Sequence, residues 1–361
     1  MQKLTQRPIF FVNFSLFWGG GEKWHLLAAG ELFRRGYPVK ILVHSRSELA
    51  KMAARAGVPY ADFPVGPQSF LNPVLLSQLA AYLKHEQPAA VILNGSRELK
   101  TIGFLAAFIR VPHIIYRRGI PRPIRPNWLN RFFFTHVATH ILVNSHATHQ
   151  AIHDILALPE CAPVTLLYNG LDPQTAHHAH IRSQRIGVVA RLSPEKGVDL
   201  AIQAFQHIVR DQPAAKLRII GDGPERANLE ALAQTLHVAE QVEFTGFVDD
   251  IFTPLSECAM LILPSRWEGF GNVLLEAMLL GMPCLAFSHT SAAEIIADGV
   301  TGYLVEPEDV MKLAAQALSL LSDPDKSERM GQAGYERLRT HFTLQHSIDQ
   351  LENLLGLKRE T

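Results

Sequence analysis

Short apolar runs of strand length alternate along this chain with stretches of helical apolar density, an order that confines it to parallel sheets covered by helices. Strand-like runs fall at residues 8–14, 39–43, 90–93, 113–116 and 141–145, with helical stretches at 75–83 and 101–109 among them. A second series opens at residues 186–190 and continues at 216–225, 242–248 and 259–263. At 361 residues, 47% hydrophobic and 19% charged, the chain has material for two domains with cores of their own. We expect the first over residues 1–173, the second over 184–345, a linker near 173–184, and a terminal segment at 346–361. Ligands of such sheets bind beyond the carboxyl ends of the strands, which directs attention to residues 94–97 and to Arg117 and Arg118.

The motif with the most chemistry is P-S-R-W-E-G-F-G-N-V-L-L-E at residues 264–276, between an apolar strand and a breaker-free helical run. Gly269 and Gly271 let a backbone approach a ligand, and Asn272 is suited to cap the helix. Amides at that helix start favour a phosphate, while Glu268 and Glu276 can hold hydroxyls that an anion site does not read. Two glutamates eight apart are also what a solvated helix face looks like, so spacing alone does not decide.

A second loop offers phosphate chemistry. Ser193 and Pro194 read as the cap and first residue of a helix, placing Arg191 and Lys196 near its start. Two cations there suit a pyrophosphate, neutralising it when bound and stabilising the charge it gains on leaving. The glycine loop 19–21, between the first strand and a helix, is likewise phosphate-friendly, with a tight turn as the other reading. It is not the dinucleotide fingerprint: Trp24 stands where a third glycine belongs, and the next strand ends in His44 and Ser45 with no ribose-binding acid, which disfavours a nicotinamide enzyme.

Net charge is zero, yet residues 1–180 hold 18 Lys and Arg against 9 Asp and Glu, and the remainder holds 16 against 25. A basic half facing an acidic half points to an anionic substrate or surface for the former. No nucleic-acid-binding motif accompanies it, so nucleic acid is not an expected partner. Residues 117–134 carry five arginines, three prolines, Trp128 and three consecutive phenylalanines. Arg117, Arg118, Arg122, Arg125 and Trp128 therefore suit a phosphorylated acceptor or an anionic membrane surface, against the alternative of a solvated loop leading into a core helix. His146, His149 and His153 fall at helical spacing, but with no acidic partner an exposed polar face is the better reading than a metal site. His177, His178 and His180 read as linker. Cys161, Cys258 and Cys284 have no metal or redox spacing and read as reduced thiols. The opening residues show no signal peptide and no apolar run reaches bilayer-spanning length, so we expect a cytoplasmic protein, peripheral on the inner face of the membrane where it meets one.

The run E-G-F-G-N-V-L-L-E-A-M-L-L-G-M-P-C-L-A, with Glu294 and D-G-V-T-G at 298–302 after it, closely resembles the E-x7-E region of retaining nucleotide-sugar glycosyltransferases of the GT-B fold, glycosyltransferase family 4. Residues 190–197 resemble that family's G-R-L-x-x-x-K-G, with Ala190 in place of its first glycine. Residues 166–172, 219–225 and 242–248 resemble its I-P-N-G-V-D, I-I-G-x-G-P-E and V-x-F-T-G-F-V segments. The resemblance implies two Rossmann-like domains facing each other across a cleft, with the last helix crossing back onto the first. It implies that Arg191 and Lys196 bind the diphosphate, that Glu268 holds donor-sugar hydroxyls, and that Glu276 binds the ribose. Backbone from Gly269, Phe270, Gly271, Asn272 and Val273 would add contacts, Phe247 would lie by the base, and Gly20 and Gly21 would face the donor phosphates. Relatives place a histidine after the strand at 113–116, where this chain has Arg117, Arg118 and Gly119.

The expected reaction is glycosyl transfer with retention, the acceptor attacking from the leaving-group face. The donor is a nucleotide sugar, UDP-linked before GDP or ADP. The acceptor is a saccharide or glycolipid, such as lipopolysaccharide core or a lipid-linked saccharide. No metal and no further cofactor is required, since the two cations replace one. A two-carboxylate hydrolase fails if Glu276 binds ribose. A sugar-nucleotide epimerase and a non-catalytic nucleotide-sugar binding module are the other classes considered; the E-x7-E segment argues against the first and the retention of both cations and both glutamates against the second.

Overall fold

The computed structural model describes residues 6–66, 68–158, 160–175, 183–289 and 291–357. The chain divides into two compact units: residues up to Asn169 together with those from Leu344 onward, and Gly170–Thr343.

The first unit is built on seven parallel strands: β1 (Ile9–Asn13), β2 (Val39–Val43), β3 (Tyr60–Asp62), β4 (Ala90–Leu93), β5 (His113–Arg118), β6 (His140–Val143) and β7 (Val164–Leu166). They lie in the order β3-β2-β1-β4-β5-β6-β7, with Val12 in register with both Leu42 and Leu93. Every residue of β1 and β4 is buried, as befits strands covered on both faces, and this is why they read as continuous rather than alternating apolar runs. One face packs Phe10, Val12, Leu79, Ile102 and Phe134; the other packs Phe11, Leu32, Ile41, Ile92 and residues of the last helix.

That last helix, Leu344–Leu354, belongs to the first unit through Ile348 and Leu351 in its core and through polar ties. Arg35 donates to Asp349 and Glu352 at 2.6 and 2.9 Å, and Ser347 Oγ donates to the Tyr168 carbonyl at 2.9 Å. These charge-assisted bonds hold Arg35 protonated more firmly than burial alone would allow.

The second unit holds six parallel strands: β8 (Arg185–Val189), β9 (Lys216–Ile220), β10 (Val242–Gly246), β11 (Met260–Leu263), β12 (Cys284–Phe287) and β13 (Gly302–Val305), ordered β10-β9-β8-β11-β12-β13. In each sheet the chain starts in the middle and reverses direction, at β1/β4 in one and β8/β11 in the other. Such a switch point opens a crevice at the carboxyl ends of its two strands. No helix among the described residues is long and apolar enough to cross a membrane.

Candidate active site

In the second unit the switch point brings together the loop after β8, carrying Arg191 and Lys196, and the loop after β11, carrying Glu268. The first loop contains one tight turn, Pro194–Lys196, and the long helix Val198–Asp211 begins only after it. Sequence reasoning placed the helix start at Pro194 with Ser193 as cap. Ser193 precedes that turn but makes no side-chain cap bond, and Gly197, in the left-handed region at φ 62°, separates the turn from the helix.

The two loops are joined through main chain. The amides of Arg266 and Trp267 both donate to the Glu195 carbonyl, at 2.9 and 3.2 Å. The Arg266 guanidinium grips both carboxylate oxygens of Asp199 at 2.8 and 2.7 Å, reaches the Pro194 carbonyl at 3.0 Å and bonds Glu308 at 2.9 Å. Held this way, Lys196 Nζ stands 2.8 Å from Glu268 Oε2 across 72 positions of sequence, and Ser265 Oγ donates to the same oxygen at 3.2 Å. Both side chains are half-buried, so the pair is partly shielded from water yet reachable. Arg191 is exposed on the same loop, which the Leu192 amide anchors to the Asp222 carbonyl at 3.0 Å.

Beyond Glu268 the chain enters the helix Asn272–Leu279. Gly271, at φ 81°, occupies the cap position expected of Asn272, which is instead the first helical residue. Glu276 lies one turn in and is only 5% exposed, and Val273 is nearly buried beside it; Gly269 is buried in the loop. The Phe270 ring is a core group, packed edge-on to Phe342 at 6.1 Å, so only its backbone remains for a ligand. Phe247 is exposed just past β10, a turn closed by the Gly221 amide on the Gly246 carbonyl.

The first unit has a polar cluster at its own switch point. Gly20 opens the helix Gly20–Arg34, and a methyl group on Gly21 would come within 2.8 Å of Asn94 Nδ2, so packing alone accounts for that glycine. Glu22, nearly buried, accepts from Asn13 Nδ2 at 3.1 Å and from Asn94 Nδ2 at 3.5 Å. Arg117 donates to Asn94 Oδ1 at 3.3 Å and Asn169 Oδ1 at 3.0 Å, and its Cζ lies 4.3 Å over the Trp24 ring. It is 3% exposed, and burial pulls its pKa down to about 10 against the favourable charge of Glu22. Arg117 therefore parts from the exposed loop with which sequence reasoning grouped it. Glu22 and Asn13 belong to no motif of the sequence; the signal for Glu22 is an acid immediately after a glycine loop at the end of a strand, and Asn169 falls in the 166–172 segment.

Next to this cluster His25 is fully buried, its Nδ1 3.0 Å from the Gly21 carbonyl. Burial lowers its pKa to about 3, Arg117 adding to the effect while the Gly21 and Ile92 carbonyls oppose it. The folded ring is thus neutral where an unfolded one, titrating near 6.5, takes up a proton. Stability should fall as pH drops from about 6.5 towards 3, by up to ~1.4 kcal/mol per pH unit from this group. His25→Phe is expected to remove that component, so that wild type loses ~2 kcal/mol more than the variant between pH 6.5 and 5. Denaturant unfolding at both values measures the difference; equal losses would mean His25 is not a buried neutral ring.

Arg118 is half-buried, donating to Tyr116 Oη at 3.4 Å and to the Arg122 carbonyl at 2.9 Å, which pins the loop. Arg122, Arg125 and Trp128 are exposed. His146 and His149 lie on the helix His146–Ala151, and His153 begins a separate turn after a break at Ile152, so the three do not share one continuous helix face. Among the described residues no cluster of His, Cys, Asp and Glu could hold a metal ion. His177, His178 and His180 lie outside the described residues.

Two parallel Rossmann-like units in one chain, each with its polar loops at a switch point, define the GT-B class of fold. The crystal structure of Anabaena HepE in complex with UDP and glucose superimposes on it with a TM-score of 0.84 at 21% identity, covering 97% of this chain and 100% of that one. Residues 178–337 match the model for glycosyl transferases group 1, and residues 18–175 that for glycosyltransferase family 4. The chain belongs to the group 1 GT-B glycosyltransferases of family 4 type. N-acetyl-alpha-D-glucosaminyl L-malate synthase of Bacillus anthracis is 36% identical over 159 residues, 44% of this chain and 42% of that protein. Alpha-D-kanosaminyltransferase of Streptomyces kanamyceticus is 34% identical over 174 residues, 48% and 44% respectively. The chain thus spans less than half the length of the curated relatives it matches.

Proposed function

We propose that the chain is a retaining glycosyltransferase moving a sugar from a UDP-linked donor to a saccharide or glycolipid acceptor, an anionic glycoconjugate of the cell envelope. The observation that carries the reading is the Lys196–Glu268 pair, assembled 2.8 Å apart from two distant loops at the switch point of the second unit. An ammonium beside a carboxylate answers the two ends of a nucleotide sugar: cation for diphosphate, carboxylate for sugar hydroxyls. Arg191 would add a second cation, backbone amides at the helix start after Gly271 would meet phosphate oxygens, and Glu276 is assigned to the ribose by the family resemblance. HepE holding UDP and glucose on the same fold favours uridine among the bases. Retention rests on the family resemblance and on acceptor attack from the leaving-group side, with the cations stabilising the departing diphosphate.

Thermal unfolding in the presence of UDP, GDP, ADP and their hexose conjugates tests the donor assignment. A ligand at a hundredfold its dissociation constant adds about 2.7 kcal/mol, so UDP should raise the melting temperature clearly and GDP and ADP should not. A shift with GDP alone would move the base; no shift with any nucleotide would overturn the reading.

A further inference from the structure

We propose that the face of the first unit formed by the helices Phe104–Phe108 and Trp128–Phe132 is a docking surface for an anionic lipid bilayer. Phe104 and Phe108 are four residues apart on one helix, and Trp128 and Phe132 four apart on the other, so each pair lies along one side of its helix. The Phe104 and Phe132 ring centroids are 6.5 Å apart, joining the two pairs into one stripe. Phe108 is 81% exposed and Trp128 79%, values that core-facing aromatics do not reach. The stripe is backed by Phe133 and Phe134, which are buried, so it stands on a rigid base. A contiguous apolar surface kept in water marks an interaction site.

Its electrostatic setting selects the partner. Residues 99–153 contain seven Lys and Arg and no Asp or Glu, so the segment supplies no carboxylate to neutralise them. Lys100 precedes Phe104 by four residues, and Arg125 precedes Trp128 by three in an exposed loop. Arg131 is exposed beside Phe132, its Nε fixed on the Pro126 carbonyl at 2.9 Å. Aromatic rings on short helices flanked by long cations are what a bilayer interface takes: rings at headgroup depth, stems along them, charges at the phosphates. A protein partner would meet the same apolar stripe but has no comparable need of a segment whose exposed charges, Arg110, Arg122, Arg125 and Arg131, are all cations. This deepens the acceptor reading above, since it brings the chain to a surface where glycolipids lie.

The test is co-sedimentation of the full chain, without nucleotide, on phosphatidylcholine vesicles and on vesicles of phosphatidylcholine and phosphatidylglycerol in equal parts. Binding is expected to the anionic vesicles, weakened by salt, and not to the neutral ones. Phe108→Ser with Trp128→Ser should lower partitioning by about tenfold or more. Lys100→Gln with Arg125→Gln should lower it and reduce its salt dependence, the exposed Arg110, Arg122 and Arg131 keeping part of it. Both double variants should keep the wild-type thermal shift with UDP, which separates this proposal from the donor assignment. Equal binding to both vesicle types, wild-type binding by the aromatic variant, or binding to a single-stranded homopolymer RNA without vesicle binding would each overturn it.

Discussion

Lys196→Ala is expected to lower turnover by about a hundredfold to a thousandfold, the loss of one preorganised group that stabilises leaving-group charge. Its Nζ is already fixed 2.8 Å from Glu268 Oε2, so no reorganisation is needed to present a positive charge to a diphosphate entering beside it. A surface lysine would not behave this way, because exposed ion pairs contribute little and are screened by salt. Since the same ammonium would bind the diphosphate in the ground state, affinity for free UDP should fall together with kcat. Lys196→Arg, keeping the charge on a different geometry, should recover part of the binding and little of the rate. Calorimetric titration with UDP alongside initial rates checks both; unchanged UDP affinity in Lys196→Ala would show that Lys196 does not meet the diphosphate. Stability should change little, because Ser265 Oγ remains as a donor to Glu268.

The outcome separates two uses of the pair. Were Lys196 merely a partner that offsets the half-buried Glu268 carboxylate, Glu268→Gln would rescue Lys196→Ala, since no unpaired carboxylate would remain. Were both in contact with donor, the double variant should be at least as slow as either single one.

The fold class was readable because the central strands β1, β4 and β11 are short apolar runs buried on their two faces, with helical stretches between strands, whereas the edge strand β3 (Tyr-Ala-Asp) and the half-buried β7 carry no such run. The junctions were less readable. Ser193 and Pro194 have the letters of a helix start, yet the φ of Gly197, set by tertiary approach to the neighbouring loop, ends that turn and starts the helix at Val198. Asn272 has capping chemistry, but Gly271 takes the left-handed cap, leaving Asn272 inside the first turn. Arg117 and Arg118 are adjacent, and on a strand adjacent side chains point to opposite faces. One therefore lies under Trp24 and the other pins a loop, a distinction composition does not carry. The stripe from Phe108 to Trp128 joins segments twenty positions apart, so only their packing reveals it. The encounter of Lys196 with Glu268 is legible only through family resemblance, for nothing local to either residue names the other.

Gly197→Ala is expected to be among the most damaging single methyls in the second unit, and the one that acts directly on the loop carrying Glu268. Gly197 sits at φ 62°, and a Cβ on it would overlap the carbonyl oxygen of Pro264. The backbone conformation alone costs an alanine ~1–2 kcal/mol. The overlap cannot be relieved by rotating a side chain, because its partner is main chain at the start of the loop that carries Glu268. Relief requires the two loops to separate, and with them the bonds from Arg266 and Trp267 to the Glu195 carbonyl and the Lys196–Glu268 contact. We expect a loss of ~3 kcal/mol or more, some 6–12 °C in Tm at ~2–4 °C per kcal/mol for a unit of this size, together with loss of the UDP shift. Gly281→Ala is the control: Gly281 has φ 67° but nothing within 4 Å of its would-be Cβ, so it carries the backbone cost without the overlap. Thermal unfolding of both variants, with and without UDP, separates the effects. If Gly197→Ala loses no more than Gly281→Ala, or keeps the UDP shift, then close approach of the two loops is not what assembles the site, and Lys196 and Glu268 reach their geometry by other contacts.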